Sequence, residues 1–114
     1  MSGWIGVDLD GTLAHYDKWE GYEKIGAPIP LMLERVKAWI AEGKEVRIFT
    51  ARACEAAAIP YIWQWCQIHV GQILKVTNLK DYTMLELWDD RAIGINHNLG
   101  TIKEGEGSVR PIHE

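Results

Sequence analysis

Hydrophobic residues fall into short runs separated by polar, glycine-bearing segments. Trp4-Ile5-Gly6-Val7 is an apolar run closed by Asp8, with the turn pair Asp10-Gly11 just beyond. A run this short, bounded by turn chemistry, predicts a buried strand. Residues 11–27 are polar and aromatic, hold Gly11, Gly21 and Gly26, and lead to Pro28, as a loop would. Over 30–42, Leu33, Val36 and Ile40 recur at helical spacing, Leu31 and Trp39 widen the stripe, and Gly43 supplies a stop. Val46-Arg47-Ile48-Phe49-Thr50 predicts a second strand, and the alanine-rich stretch 51–59 a loop or helical turn. Pro60 suits the first turn of a second helix that reaches about Val70, with Ile62, Trp63, Cys66 and Val70 on one face and Gly71 after it. Residues 73–76 predict a third strand near an exposed sheet edge, 84–88 a fourth and 92–95 a short fifth.

Strands alternating with helices predict an α/β fold with a parallel sheet and helices on its faces. In such sheets ligands bind beyond the carboxyl ends of the strands. Asp8 ends the first strand, Thr50 the second, and Asp89-Asp90 the fourth, while Lys80 follows the third. Four separated segments thus bring polar groups to one edge. Any one of them is explained by Asp or Thr opening a loop; all four together are not.

Composition narrows the class. The 114 residues fit a single domain (1–114), with 101–114 a loose, glycine-rich and charged tail. The net charge of −4 argues against a broad phosphate-backbone surface, and so against nucleic acid as a general partner. No apolar run approaches the roughly 18 residues of a membrane span, and no signal peptide is visible after Met1, which implies a cytoplasmic location. Cys54 and Cys66 lack metal-site spacing and read as reduced thiols; His69, His97 and His113 show no ligand spacing either.

Asp8 and Asp10 crowd two carboxylates at one strand end, and their repulsion needs an offset. A divalent cation supplies it, and Mg2+ prefers oxygen donors: Asp8, the Asp10 main chain and Asp89. A carboxylate beside a cation can attack phosphorus, and a second one two residues on can move a proton. Gly11 permits the turn that aims both. Thr50 offers a hydroxyl and an N–H to a phosphoryl oxygen, and Lys80 offsets its charge.

The segment Val7-Asp8-Leu9-Asp10-Gly11-Thr12-Leu13 resembles the first motif of the haloacid dehalogenase superfamily. Ile48-Phe49-Thr50 is similar to its second motif, Lys80 to its third and Leu87-Trp88-Asp89-Asp90 to its fourth, in the family's order over about residues 4–96. The resemblance implies a Rossmann-like three-layer sandwich with about five parallel strands in the order 3-2-1-4-5. It implies a magnesium-dependent phosphatase working through an aspartyl-phosphate. By that likeness Asp8 is the nucleophile and Asp10 the general acid/base. Thr50 and Lys80 hold the phosphoryl group, with Gly11 and Arg52 beside it, and Asp8, Asp10, Asp89 and Asp90 surround the metal. The acid at Asp10 favours a phosphatase over a dehalogenase.

Family members usually carry a cap; here only the flap 11–27 stands in its place, so no sizeable cap is expected. An open site suits a large phosphorylated substrate or a lid lent by a partner subunit, hence a homo-oligomer. His15, Tyr16, Lys18, Trp19, Tyr22 and Lys24 are the flap's candidates for substrate contact, the alternative being packing against the sheet edge. Arg52 could reach a phosphate or form a salt bridge, and Arg91 could orient Asp89 or Asp90. Trp63 and Trp65 lie two apart on a helix and so face different directions. Two other functions stay open: a non-catalytic binding or regulatory module, and a polynucleotide-end 3′-phosphatase, which Asp89-Asp90-Arg91 resembles.

Overall fold

The computed structural model describes residues 3–103. Its sheet has four parallel strands in the order β3-β2-β1-β4: β1 (Trp4–Val7), β2 (Glu45–Phe49), β3 (Lys75–Thr77) and β4 (Met84–Trp88). β1 lies inside and is buried at all four positions, as its unbroken apolar sequence predicts. Two helices link the first three strands, α1 (Pro30–Ala41) and α2 (Ile59–His69), each with proline in its first turn. Between β2 and α2 the alanine-rich stretch forms two 3-10 turns, Ala51–Cys54 and Ala56–Ala58.

The core lies between the helices and one sheet face. Ile5, Val7, Val46 and Ile48 pack there against Met32 and Val36 of α1 and Ile62 and Cys66 of α2. Leu31 of α1 faces solvent instead of widening the stripe. On α2 the two tryptophans face different directions, but Trp63, expected on the apolar face with Ile62, Cys66 and Val70, is exposed, and Trp65 is buried in its place. Burial pushes the Cys66 thiol up to about 11, so it stays protonated. Cys54 is exposed, and both thiols are free. Among the described residues no helix is long and apolar enough to cross a membrane.

The fold differs from the five-stranded, three-layer, Rossmann-like sandwich ordered 3-2-1-4-5. The connection from β3 to β4 is one reason. Only residues 78–83 join them, where a helical crossover takes a dozen or more. Fully extended, such a link reaches about 23 Å. That suffices to cross three strand spacings of about 4.8 Å and return to the sheet's other end, but leaves no length for a helix. It lies over the face away from α1 and α2, where Asp81 accepts a hydrogen bond from Trp4 Nε1 (2.9 Å) and meets Arg47 (3.5 Å). The Arg47 guanidinium stacks over the Trp4 ring at 4.4 Å. A strap thus stands where a third layer was expected.

The second reason is the missing fifth strand. Residues 92–95 do not join the sheet; Ile95 bridges Ile102 in an antiparallel hairpin, closed by bonds from Asn96 N–H to Thr101 O and Lys103 N–H to Gly94 O. Residues 101–103 of the supposed loose tail belong to this hairpin, and the rest of that tail, with His113, lies outside the described residues. Over the described residues the architecture is therefore a four-stranded parallel sheet with two short helices. It is not the Rossmann-like architecture that a haloacid-dehalogenase-like hydrolase or phosphatase implies, and so lends that activity no support of its own.

Candidate metal centre and its flap

The carboxyl ends of β1 and β4 lie side by side, and Asp8 N–H donates to Trp88 O at 2.9 Å, carrying the ladder one residue past β1. The chain then turns tightly. Leu9 and Leu13 plug into the core, and the N–H groups of Leu13 and Ala14 close back on Leu9 O at 3.0 and 2.8 Å. With those two leucines anchored, Asp8, Asp10 and Thr12 are left on the outer side of the turn.

Asp8, Asp89 and Asp90 converge there, with one carboxylate oxygen from each lying within 4.8 Å of the others. The Thr12 hydroxyl lies 3.3 Å from Asp8 Oδ2 and 3.2 Å from Asp90 Oδ1, and it accepts the Asp90 N–H at 3.0 Å. The Arg91 N–H fixes Asp89 Oδ1 at 2.7 Å. Burial, a hydrogen bond with Asp90 and the charges of Asp89 and Asp90 push Asp8 up from 3.8 to about 8, against a smaller lowering by Thr12. Three carboxylates held this close favour either a proton or a cation. The donor set is all oxygen, which fits a hard divalent ion. Such an ion could be held by Asp8, Asp89 and Asp90.

Across from this cluster sit Thr50 and Arg52, the buried polar side chains among the described residues. Thr50 caps the first 3-10 turn by accepting the Arg52 N–H at 3.1 Å. Its own N–H is spent on Thr77 O at 2.9 Å, which leaves the hydroxyl hydrogen for a ligand. Arg52 grips Asp10 through two bonds, Nε to Oδ2 at 2.8 Å and Nη2 to Oδ1 at 2.9 Å. It also donates to the flap carbonyls of Tyr22 (3.2 Å) and Lys24 (2.9 Å). These bonds occupy most of the five guanidinium N–H donors. A buried charge needs such pairing, and removing one partner of a buried pair typically costs 3–5 kcal/mol. Arg52 therefore ties Asp10 to the flap.

The flap leaves and returns through paired backbone: His15 N–H donates to Ala27 O and Ile29 N–H to Leu13 O, both at 2.8 Å. Trp65 of α2 holds its base through a 2.9 Å bond to Gly26 O. Together flap, 3-10 turns and strand ends border a half-open cavity of about 750 Å³. Asp8, Asp10, Thr50, Arg52, Asp89 and Asp90 all line it. So do Tyr16, Trp19 and Tyr22 of the flap, and Arg91. Gly11 sits beneath Asp90, and Lys80 is exposed in the strap, not among the lining residues. Asn78, directly after β3, lines the cavity in its stead. Sequence reasoning passed over Asn78, although its place just past a strand's carboxyl end was a usable signal.

No protein-family model matches the chain, and no curated protein does. A solved structure is similar, described as that of the conserved protein coded by a locus from Bacteroides thetaiotaomicron. It superposes with a TM-score of 0.58 at 22% identity, over 91% of this chain and 84% of that one. The likeness extends along most of both chains and bears on the fold alone.

Proposed function

We propose that the chain is a magnesium-dependent phosphohydrolase acting on a phosphate monoester through an aspartyl-phosphate on Asp8. The observation that carries this reading is the convergence of Asp8, Asp89 and Asp90 at adjacent strand ends, in one cavity with Thr50 and the Arg52–Asp10 pair. The motif-level resemblance to the haloacid dehalogenase superfamily agrees with it. Magnesium, held by Asp8, Asp89 and Asp90, would neutralise charge on the phosphoryl group. In the ionised state that a cation favours, Asp8 attacks phosphorus and the ester oxygen leaves with a proton from Asp10. Water then attacks the aspartyl-phosphate, giving its proton to Asp10 and freeing inorganic phosphate. For either transfer Asp10 has to turn one oxygen away from Arg52, and before the first it has to take up a proton from solvent on that oxygen. Thr50 positions the phosphoryl group through its hydroxyl, and Arg91, on the cavity wall, adds positive charge.

The test is p-nitrophenyl phosphate hydrolysis with and without Mg2+, with Asp8→Asn alongside. Magnesium-dependent release of nitrophenol, abolished by Asp8→Asn, is the expected outcome. Turnover that survives Asp8→Asn removes the nucleophile. Absence of wild-type turnover over a broad panel of esters leaves a second reading, a metal-dependent phosphate-binding module. The grip of Arg52 on both oxygens of Asp10 favours that reading to the extent that it is not released.

A further inference from the structure

Trp19 is placed unlike an ordinary loop tryptophan. One face of its ring is covered by the Arg52 guanidinium at 4.8 Å, and Tyr22 meets it edge to face at 5.2 Å and 75°. The backbone that follows it is fixed, because Arg52 also bonds the carbonyls of Tyr22 and Lys24. Yet 51% of Trp19 stays open to solvent, on the wall of the cavity that holds the three carboxylates. An ordered, backed aromatic face loses little further freedom when a flat ligand lies on it. The cavity, at about 750 Å³, is far larger than a phosphoryl group and its cation require. Arg52 also narrows the choice of ligand. It already engages the ring's negative quadrupole on one face, so a cationic leaving group gains little from the other. A neutral planar ring suffers no such penalty.

Resting on the phosphohydrolase reading for the placement of the phosphate, we propose that Trp19 is a leaving-group subsite that stacks a planar aromatic ring. The preferred substrates are then small phosphate monoesters that carry such a ring, with a nucleoside monophosphate as the natural probe. Aromatic stacking of a base changes binding by about 5- to 150-fold when the protein ring is removed.

The experiment measures equilibrium binding to full-length Asp8→Asn in the presence of magnesium. Adenosine 5′-monophosphate is compared with ribose 5-phosphate, which keeps sugar and phosphate and lacks the base. The nucleotide is expected to bind about tenfold tighter or better, with the advantage lost when Trp19→Leu is added and kept with Trp19→Phe. The phenylalanine arm separates loss of stacking from loss of the folded flap. Equal affinities, no binding of either ligand, or an advantage that persists in Trp19→Leu overturns the proposal. Wild-type kcat/KM on the same two esters separates it from the reading beneath it. A Trp19-dependent preference without turnover of any ester removes the hydrolase and keeps the subsite. Equal turnover of both esters keeps the hydrolase and removes the subsite.

Discussion

Gly11 has φ of +90°, and a Cβ added there would lie 2.6 Å from Asp90 Oδ2. The third carboxylate of the cluster therefore occupies space that a side chain would fill. Gly11→Ala pays about 1–2 kcal/mol for the left-handed backbone and displaces Asp90 from Asp8 and Thr12. The expected result is a smaller rise in melting temperature on adding Mg2+ than the wild-type chain shows. An unchanged magnesium-induced rise would mean that Asp90 is not needed for the ion. At this scale much of the site was legible. Asp8, Asp10 and Gly11 stand where an apolar run meets a turn, and Asp89-Asp90 where another run ends. The partner of Arg52 was not legible, because its carboxylate lies 42 positions away and only the folded chain brings the two together. Nor was the spending of the Thr50 N–H on Thr77, which depends on the pairing of β2 with β3.

Among the elements, the strap from β3 to β4 departs most from the sequence-based expectation. The run at 84–88 correctly predicts a strand, and α1 and α2 follow from their periodicity and prolines. Periodicity reports only which residues are apolar, and a six-residue link has no period to read. Its short length was the available signal that no helix covers the second face. The alternation at 92–95 predicts a strand, but those residues close on 101–103, where Asn98 and Gly100 adopt positive φ and turn the chain. Asp81 pins the strap. It accepts Trp4 Nε1 and the Thr83 N–H and hydroxyl, bonds that together hold its carboxyl down to about 2. Asp81→Ala leaves the indole N–H of fully buried Trp4 without an acceptor, a loss of roughly 1–3 kcal/mol. Asp81→Asn keeps an acceptor and should lose less. Urea unfolding midpoints measure both, and equal midpoints for Asp81→Ala and wild type would show that the strap is held by other contacts.

Taken as a whole molecule, the chain carries its pH sensitivity at the same place as its candidate chemistry. The folded state raises Asp8 from 3.8 to about 8, so between those values it binds a proton that the unfolded chain releases. Stability follows the difference in bound protons. The contribution of Asp8 is fully present below pH 3.8, falls as the pH rises, and is lost above about 8. Asp81 acts with the opposite sign and elsewhere: its lowered carboxyl contributes above pH 3.8, and that contribution is lost as pH falls through about 2. In chelator, the melting temperature should therefore decline from pH 5 to pH 8.5. Magnesium reverses the trend, because it competes with the proton for Asp8 and binds better as pH rises. At about 100 times its dissociation constant a ligand adds ~2.7 kcal/mol, or roughly 10 °C for a domain of this size. Asp8→Asn, which keeps the shape of the protonated acid and cannot ionise, should flatten the profile in chelator and remove the growth of the magnesium effect with pH, while its amide oxygen still offers the ion a donor beside Asp89 and Asp90. A profile in chelator that declines equally in wild type and Asp8→Asn would move the sensitivity to another group, and would detach the three-carboxylate cluster from the stability of the fold.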